Sequence, residues 1–330
     1  MIKYDLVIIG GGPSGMMAAI AARDNGVKNI LIIDREIELG GMLINCIHSG
    51  FKSKYRDGDL TAPEYIQSLI DKLIEYKIEY KTSTDVLSLH KNKTLVAVNE
   101  EGVLEISAKA IILATGCRER PLGYKNILSH RCSGIITSLS TLKLINRMGI
   151  MPGKEVLVLG SGDPALFAAR SLILEGANVK GIIETTDGLS AINEEVKKFI
   201  QDFNIPIMLK SRVTNVFGKA RVEGVNVALL DENNKVIKNS KTYMSCDTLI
   251  LSIYLQPENT LALKAGIEVD LESSKVVLKD NMETSIEGIF ACGTVVNGYG
   301  QINKIESESE LVGKCVAKYL GNWELMINKG

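Results

Sequence analysis

Apolar residues along the chain fall into short continuous runs that alternate with stretches of helical spacing. Residues 4–9 read as a strand, and residues 16–23 as a helix that stops at Gly26. Residues 29–33 form a second apolar strand ending in Asp34. Residues 62–76 have helical periodicity, with Pro63 near the start, where its missing N–H is no loss. Short alternating runs at 85–89, 94–99 and 103–107 predict strands, and 110–113 is an apolar strand leading into Ala114-Thr115-Gly116. The order then repeats. A strand at 156–159 precedes a helix to Leu174, Gly176, and a strand at 179–183 ending in Glu184. Residues 212–243 alternate like a hairpin around a turn at 231–234. Strands at 247–252, 275–278 and 287–294 follow, and a helix over 304–320 closes the pattern. Strands alternating with helices predict an α/β fold built of doubly wound layers.

Two glycine turns each leave a strand and enter a helix. The first reads Gly10-Gly11-Gly12-Pro13-Ser14-Gly15 and the second Gly160-Ser161-Gly162-Asp163-Pro164-Ala165. Both have the form G-x-G-x-x-G/A. In such a turn the first Gly allows the tight bend and the second lets a pyrophosphate approach the backbone. The third small residue lets the helix pack on the strand. The helix then points free N–H groups and its positive dipole end at the phosphates. Each turn has an acid at the same spacing: Asp34 lies 22 residues past Gly12, and Glu184 lies 22 past Gly162. A carboxylate there accepts bonds from ribose hydroxyls. Ordinary βα turns with strand-ending acids are the plainer alternative, and the matched spacing argues against it. The pair predicts one chain that holds two dinucleotides.

Composition narrows the partners. Of 330 residues, 45% are hydrophobic and 23% charged, as in an ordinary globular chain, and the net charge is −1. With no run of Lys or Arg, nucleic acid and anionic membrane are not expected partners. With a strand at 4–9, no cleavable leader is expected, and with no apolar run that reaches the ~18 residues of a membrane span, no transmembrane helix is expected. Six cysteines at 46, 117, 132, 246, 292 and 315 form no C-x-x-C and no zinc pattern, so no metal site is expected. Scattered thiols fit a reducing, cytoplasmic setting. The tail after the hairpin is too short for a domain of its own. The expected organisation is a first dinucleotide domain over 1–117 and 246–330, with a second inserted at 118–245.

At these residues the chain resembles the two-dinucleotide flavoproteins, the pyridine nucleotide–disulfide oxidoreductase-like family. The first turn is similar to that family's FAD pyrophosphate turn, and Leu39-Gly40-Gly41 to its second flavin loop. Ile112 to Gly116 matches its strand end near FAD, and Ile286 to Gly293 resembles its late flavin motif. Gln301 falls where the family aims a helix at the flavin ring. The resemblance implies two Rossmann-like domains, with the NAD domain inserted in the FAD domain. It implies FAD contacts at Gly10, Gly12, Pro13, Ser14, Gly15, Asp34, Arg35, Gly41, Met42, Val86, Thr115, Gly116, Gly293, Thr294 and Gln301. It implies NAD(H) contacts at Gly160, Gly162, Ala165 and Glu184. Glu184, with no Arg closely following, favours NAD over NADP.

Three departures matter. Neither family position for a cysteine pair is filled: one stretch carries only Cys46, the other only Cys132. Dithiol exchange needs an attacking and a resolving thiol, so two distant cysteines would have to meet. The late motif ends Gly293-Thr294, where the family has Gly-Asp, and a hydroxyl brings no charge. Tyr254 stands where the family often has Gly. The set Gly40-Gly41-Met42-Leu43, Asn45-Cys46-Ile47-His48 and Gly50-Phe51, with Thr115-Gly116-Cys117-Arg118-Glu119-Arg120-Pro121, looks like the small flavoprotein subunits that accompany anaerobic glycerol-3-phosphate dehydrogenase-like proteins. It is also similar, less closely, to opine oxidase and hydrogen cyanide synthase subunits.

Cys46 and His48 have two readings, catalysis beside the flavin or packing. The expected function is an FAD-dependent oxidoreductase that exchanges hydride with NAD(H) and passes electrons to or from a partner redox protein. The resemblance points to a glycerol-3-phosphate dehydrogenase-like subunit as one candidate for that partner, and self-association is open as well. Two alternatives stand beside it: a disulfide reductase with a non-standard thiol pair, and a non-catalytic nucleotide-binding subunit.

Overall fold

The computed structural model describes residues 1–119, 132–298, 300 and 302–327. The chain divides into two compact units, Met1–Arg118 with Leu255–Gly330, and Glu119–Tyr254.

The first unit begins with β1 (Ile2–Ile9), α1 (Pro13–Asp24) and β2 (Ile30–Ile33). A 3-10 turn at Gly41–Asn45 leads to the hairpin β3 (Phe51–Ser53) and β4 (Arg56–Leu60). Then come α2 (Ala62–Glu75), β5 (Glu79–Lys81), β6 (Asp85–Leu89), β7 (Thr94–Asn99) and β8 (Gly102–Leu113). Its main sheet runs β5-β2-β1-β8-β7-β6. The β1–β2, β1–β8 and β2–β5 pairs are parallel, with Ile8 opposite both Ile32 and Ile112. Leu6 and Ile8 face one cluster with Met16, Ile20 and Ile112, while Val7 and Ile9 face another with Leu31, Ile33 and Ile111. Both faces are covered, which is why these strands read as unbroken apolar runs.

The short strand β9 (Cys117–Glu119) leads into the second unit, which starts at its last residue. It contains β10 (Ile135–Thr137), α3 (Ser138–Met148), β11 (Glu155–Leu159), α4 (Asp163–Leu174), β12 (Asn178–Ile183) and α5 (Glu194–Asp202). After β13 (Ile207–Met208), a meander is formed by β14 (Ser211–Phe217), β15 (Gly224–Leu229) and β16 (Thr242–Ser245). The strand β17 (Thr248–Leu251) ends the unit. The parallel sheet runs β10-β17-β11-β12-β13.

Here the structure departs from the expected boundaries. Residues 246–254 were expected in the returning half of the first domain. Instead β17 lies between β10 and β11, with Leu249 opposite both Ile135 and Leu157, so the return begins at Leu255.

The returning half holds β18 (Leu255–Pro257), α6 (Thr260–Ala265), β19 (Ile289–Ala291), α7 (Thr294–Asn297) and α8 (Ile302–Ile327). The strand expected at 275–278 is only an isolated bridge between Val269 and Val276. β19 pairs in parallel with β8, so the end of the chain completes the first sheet. α8 packs on α1 at Gly313, where a Cβ would lie 2.6 Å from the Ala18 carbonyl oxygen. The Tyr65 hydroxyl on α2 donates to Glu306 Oε1 on α8 at 2.5 Å.

Candidate functional site

In the first unit, three glycines of the opening turn do different work. Gly10 has φ +113°, and a Cβ there would lie 2.2 Å from the Ala114 carbonyl oxygen. A Cβ on Gly15 would lie 1.9 Å from the Gly10 carbonyl oxygen. These two positions close the strand on the helix and admit nothing larger. Gly12 is different: a Cβ would meet nothing nearer than the Gly41 Cα, at 3.9 Å. Gly12 is the N-cap of α1, Pro13 opens the helix, and no side chain caps it. An open backbone at an uncapped helix start is a cradle for an anion.

Other expected positions gather around this turn. The Gly40 N–H donates to the Gly11 carbonyl oxygen at 2.9 Å, which brings Gly41 and Met42 alongside. A Cβ on Gly293 would lie 2.2 Å from Ser14 Oγ, so the late element abuts the start of α1. A Cβ on Gly116 would sit 3.6 Å from Thr294 Oγ1. The Thr115 hydroxyl donates to the Glu258 carbonyl oxygen at 2.7 Å. Asp34 is buried at the end of β2. Its Oδ2 accepts the Gly11 N–H at 2.6 Å and its Oδ1 the Glu36 N–H at 2.8 Å. Burial holds this carboxyl above its usual value despite those two donors. An ionised carboxylate has about four lone-pair sites, so acceptor capacity remains. The cradle, the loop at Gly41 and the acid fit an adenine dinucleotide.

Some expected positions stand apart. Arg35 is exposed. Val86 packs its side chain into the cluster that contains Ile33. Gln301 lies outside the described residues. Cys46 follows the 3-10 turn and packs against the first cluster, where burial pushes its thiol up to about 12. It is therefore protonated at neutral pH. The His48 ring lies 5.1 Å from that of Phe51, and its carbonyl oxygen accepts the Ala62 N–H. Cys292 lies in the late motif, and burial pushes its thiol up to about 12. Cys46, Cys132, Cys246, Cys292 and Cys315 are free thiols. Cys132 and Cys246 share the buried cluster of the second unit, and burial raises the Cys246 thiol to about 11.

The second unit repeats the turn. Gly160 has φ +99°, and a Cβ would lie 2.1 Å from the Ser252 carbonyl oxygen. Gly162 is open, with only Pro164 Cδ at 3.8 Å, and it starts α4 without a side-chain cap. Ala165 is fully buried under the turn. Glu184 is also buried, and its carboxylate is crowded with donors. Oε2 accepts from the Ser161 N–H at 3.0 Å, the Ser161 hydroxyl at 2.6 Å and the Ser190 hydroxyl at 3.0 Å. Oε1 accepts from the Thr185 N–H and hydroxyl and from the Thr186 N–H. Burial alone would raise this carboxyl, but the hydrogen bonds from Ser161, Ser190 and the two threonines hold it below its usual value. Asp163 Oδ1 accepts the N–H groups of Ile192 and Asn193. Ser161, Ser190 and Asp163 were not singled out by the motif, which treats the x positions as free. Aligning the two turns would have found Ser161, which replaces Gly11.

Among the described residues, no helix is long and apolar enough to cross a membrane. The chain is similar to a subunit of alkyl hydroperoxide reductase, from Staphylococcus aureus, at 25% identity over 304 residues. That match covers 89% of this chain and 54% of the relative, so the chain spans about half that protein's length. It is 29% identical to a dihydrolipoyl dehydrogenase from Manduca sexta, covering 92% of this chain and 66% of that one. Among solved structures, its fold is shared with thioredoxin reductase from Lactococcus lactis, at TM-score 0.77 and 23% identity over 97% of this chain and 100% of that one. Thioredoxin reductase from T. acidophilum matches at TM-score 0.75 and 21% identity, over 98% and 100% of the two chains. The sequence profile of the pyridine nucleotide-disulphide oxidoreductases matches residues 4–309. With two Rossmann-like sheets, each opening on a glycine turn, the chain belongs to the pyridine nucleotide-disulphide oxidoreductase family.

Proposed function

We propose that the first unit holds FAD, that the second holds NAD(H), and that electrons pass between them and a partner redox protein. The observation that carries this reading is the repeated cradle: Gly12 and Gly162 are both open, and each starts a helix that no side chain caps. FAD supplies a reversible two-electron centre, and the nicotinamide supplies hydride. The chain's own residues bind and orient. In the first unit the α1 N–H groups meet the pyrophosphate, Asp34 accepts from the ribose, and Gly41 and Gly293 leave room for the cofactor. Thr294 offers the ribityl chain a hydroxyl in place of a carboxylate. In the second unit α4 meets the pyrophosphate, and the ionised Glu184 disfavours a 2′-phosphate.

Anaerobic stopped-flow mixing tests the reading. NADH is expected to bleach the bound flavin, and to do so faster than NADPH. A flavin that neither nucleotide bleaches would leave a nucleotide-binding subunit without this chemistry.

The partner is a redox subunit, and the resemblance to small flavoprotein subunits keeps a glycerol-3-phosphate dehydrogenase-like protein as the candidate. Free thiols fit a reducing compartment, the cytoplasm. A second reading, disulfide reduction, is favoured by one observation: Cys132 and Cys246 share one buried cluster. It predicts that Cys132→Ser or Cys246→Ser abolishes NADH-driven reduction of a disulfide substrate while NADH still bleaches the flavin.

A further inference from the structure

The two turns are built on one plan. Asp34 corresponds to Glu184, Gly11 to Ser161, and Gly40 to Ser190, each at the same distance from its acid. In the first unit the Gly40 N–H bonds the Gly11 carbonyl oxygen, and in the second the Ser190 N–H bonds Ser161 Oγ at 2.8 Å. Where the first unit has two glycines, the second therefore has two hydroxyls, and both donate to the acid. Asp34 receives two donors, whereas Glu184 receives six against about four lone-pair sites. A ribose hydroxyl reaching Glu184 must displace one of them. Ser161 is fully buried and cannot leave without opening the turn. Ser190 is exposed, and of the two hydroxyls on Oε2 its own is the one that can swing away.

We propose that Ser190 is a specificity-determining positioning residue of the second dinucleotide site: its hydroxyl competes with the ribose 2′-hydroxyl for Glu184 and so weakens selection of NADH over NADPH. This rests on the reading that the second unit binds a nicotinamide dinucleotide. Removing the Ser190 hydroxyl frees an acceptor that a 2′-hydroxyl can use. A 2′-phosphate has no hydroxyl there to donate, and it meets a less neutralised carboxylate. The low titration point of Glu184 fits this picture, since the acid is a full anion at neutral pH.

The test is equilibrium binding of NADH, NADPH and ADP-ribose to the flavin-loaded protein with its flavin already reduced by dithionite, so that neither nucleotide can react, read by anaerobic calorimetry. Ser190→Ala is expected to tighten NADH and ADP-ribose about fivefold, with NADPH unchanged or weaker, so the selectivity ratio rises. Ser190→Thr, which keeps the hydroxyl, is expected to stay at the wild-type values. In a Glu184→Gln background Ser190→Ala is expected to leave the NADH-to-NADPH ratio unmoved, because the acceptor it competes for has lost its charge. An unchanged or lower ratio in Ser190→Ala, with NADH still bound by the wild type, overturns the inference alone. Absence of nucleotide binding in wild type and variant alike overturns both the inference and the assignment of the second unit.

Discussion

Gly12 and Gly15 sit three positions apart, yet a side chain at each has opposite consequences. Gly12 is extended, at φ −71° and ψ 177°, and has open space on its Cα. Gly12→Val is expected to fold, at a cost of about 1 kcal/mol for a poorer helix cap, and to purify without flavin. Gly15→Val would drive a methyl group into the Gly10 carbonyl oxygen, at 1.9 Å from the Cβ. It is expected to lose about 3 kcal/mol or to fail to fold. Flavin absorbance and thermal melting of both variants separate the two effects; a yellow Gly12→Val protein would contradict the assignment. Glu184 gives a pH signature. Its folded value lies below the unfolded one, so its network adds stability above pH about 4.5, and that stability is lost as pH falls through the folded value. Glu184→Gln is expected to lower the melting temperature at neutral pH, with the gap to wild type closing below pH about 4.5. A gap that stays constant across that range would contradict the network's role. The glycines were legible in the sequence because backbone sterics constrain residue type, and the two acids because the spacing from turn to acid repeats. Ser161 and Ser190 were not, because a hydroxyl at a permissive position has no pattern until its acceptor is in view.

Among the elements, α2 shows how far local signals reach. Thr61 and Glu64 form a reciprocal capping box, and Pro63 lies in the first turn. The periodicity placed this helix to within a residue at its end. Thr61→Ala is expected to cost about 1 kcal/mol and lower the melting temperature by a few degrees, with flavin content unchanged. Equal melting curves would show that packing of Tyr65 and Ile66 alone holds the helix. Strands were harder. β8 was expected as two strands because its burial changes character midway. Its first half alternates beside β7, and its second half is buried on both faces beside β1 and β19. β4, Arg56-Asp57-Gly58-Asp59-Leu60, is exposed over four residues and has no apolar period to read. β17 was recognised as a strand, but four buried residues serve either sheet equally well. Only its pairing with β10 and β11 decides its unit.

At the scale of the whole chain, the two units take in all the described residues, and each carries a sheet that opens on a glycine turn. Under the proposed function, the isolated chain is expected to oxidise NADH rapidly with an artificial dye. It is expected to turn over at least tenfold more slowly with small physiological oxidants than with the proposed partner protein. Steady-state assays with and without candidate subunits check this, and fast turnover of the chain alone with a metabolite would remove the need for a partner.

The first sheet is completed by β19, and Ser14 is met by Gly293. Those residues are separated by the entire second unit. A ribosome adds roughly 5–20 residues per second, so the first glycine turn waits tens of seconds, roughly, for its neighbour to be synthesised. Residues 119–254 are contiguous and have all the strands of their parallel sheet in hand well before then. The order of maturation thus runs against the order of synthesis. The inserted unit can mature first, and loading of the earlier-made turn waits until β19 and Gly293 have been synthesised.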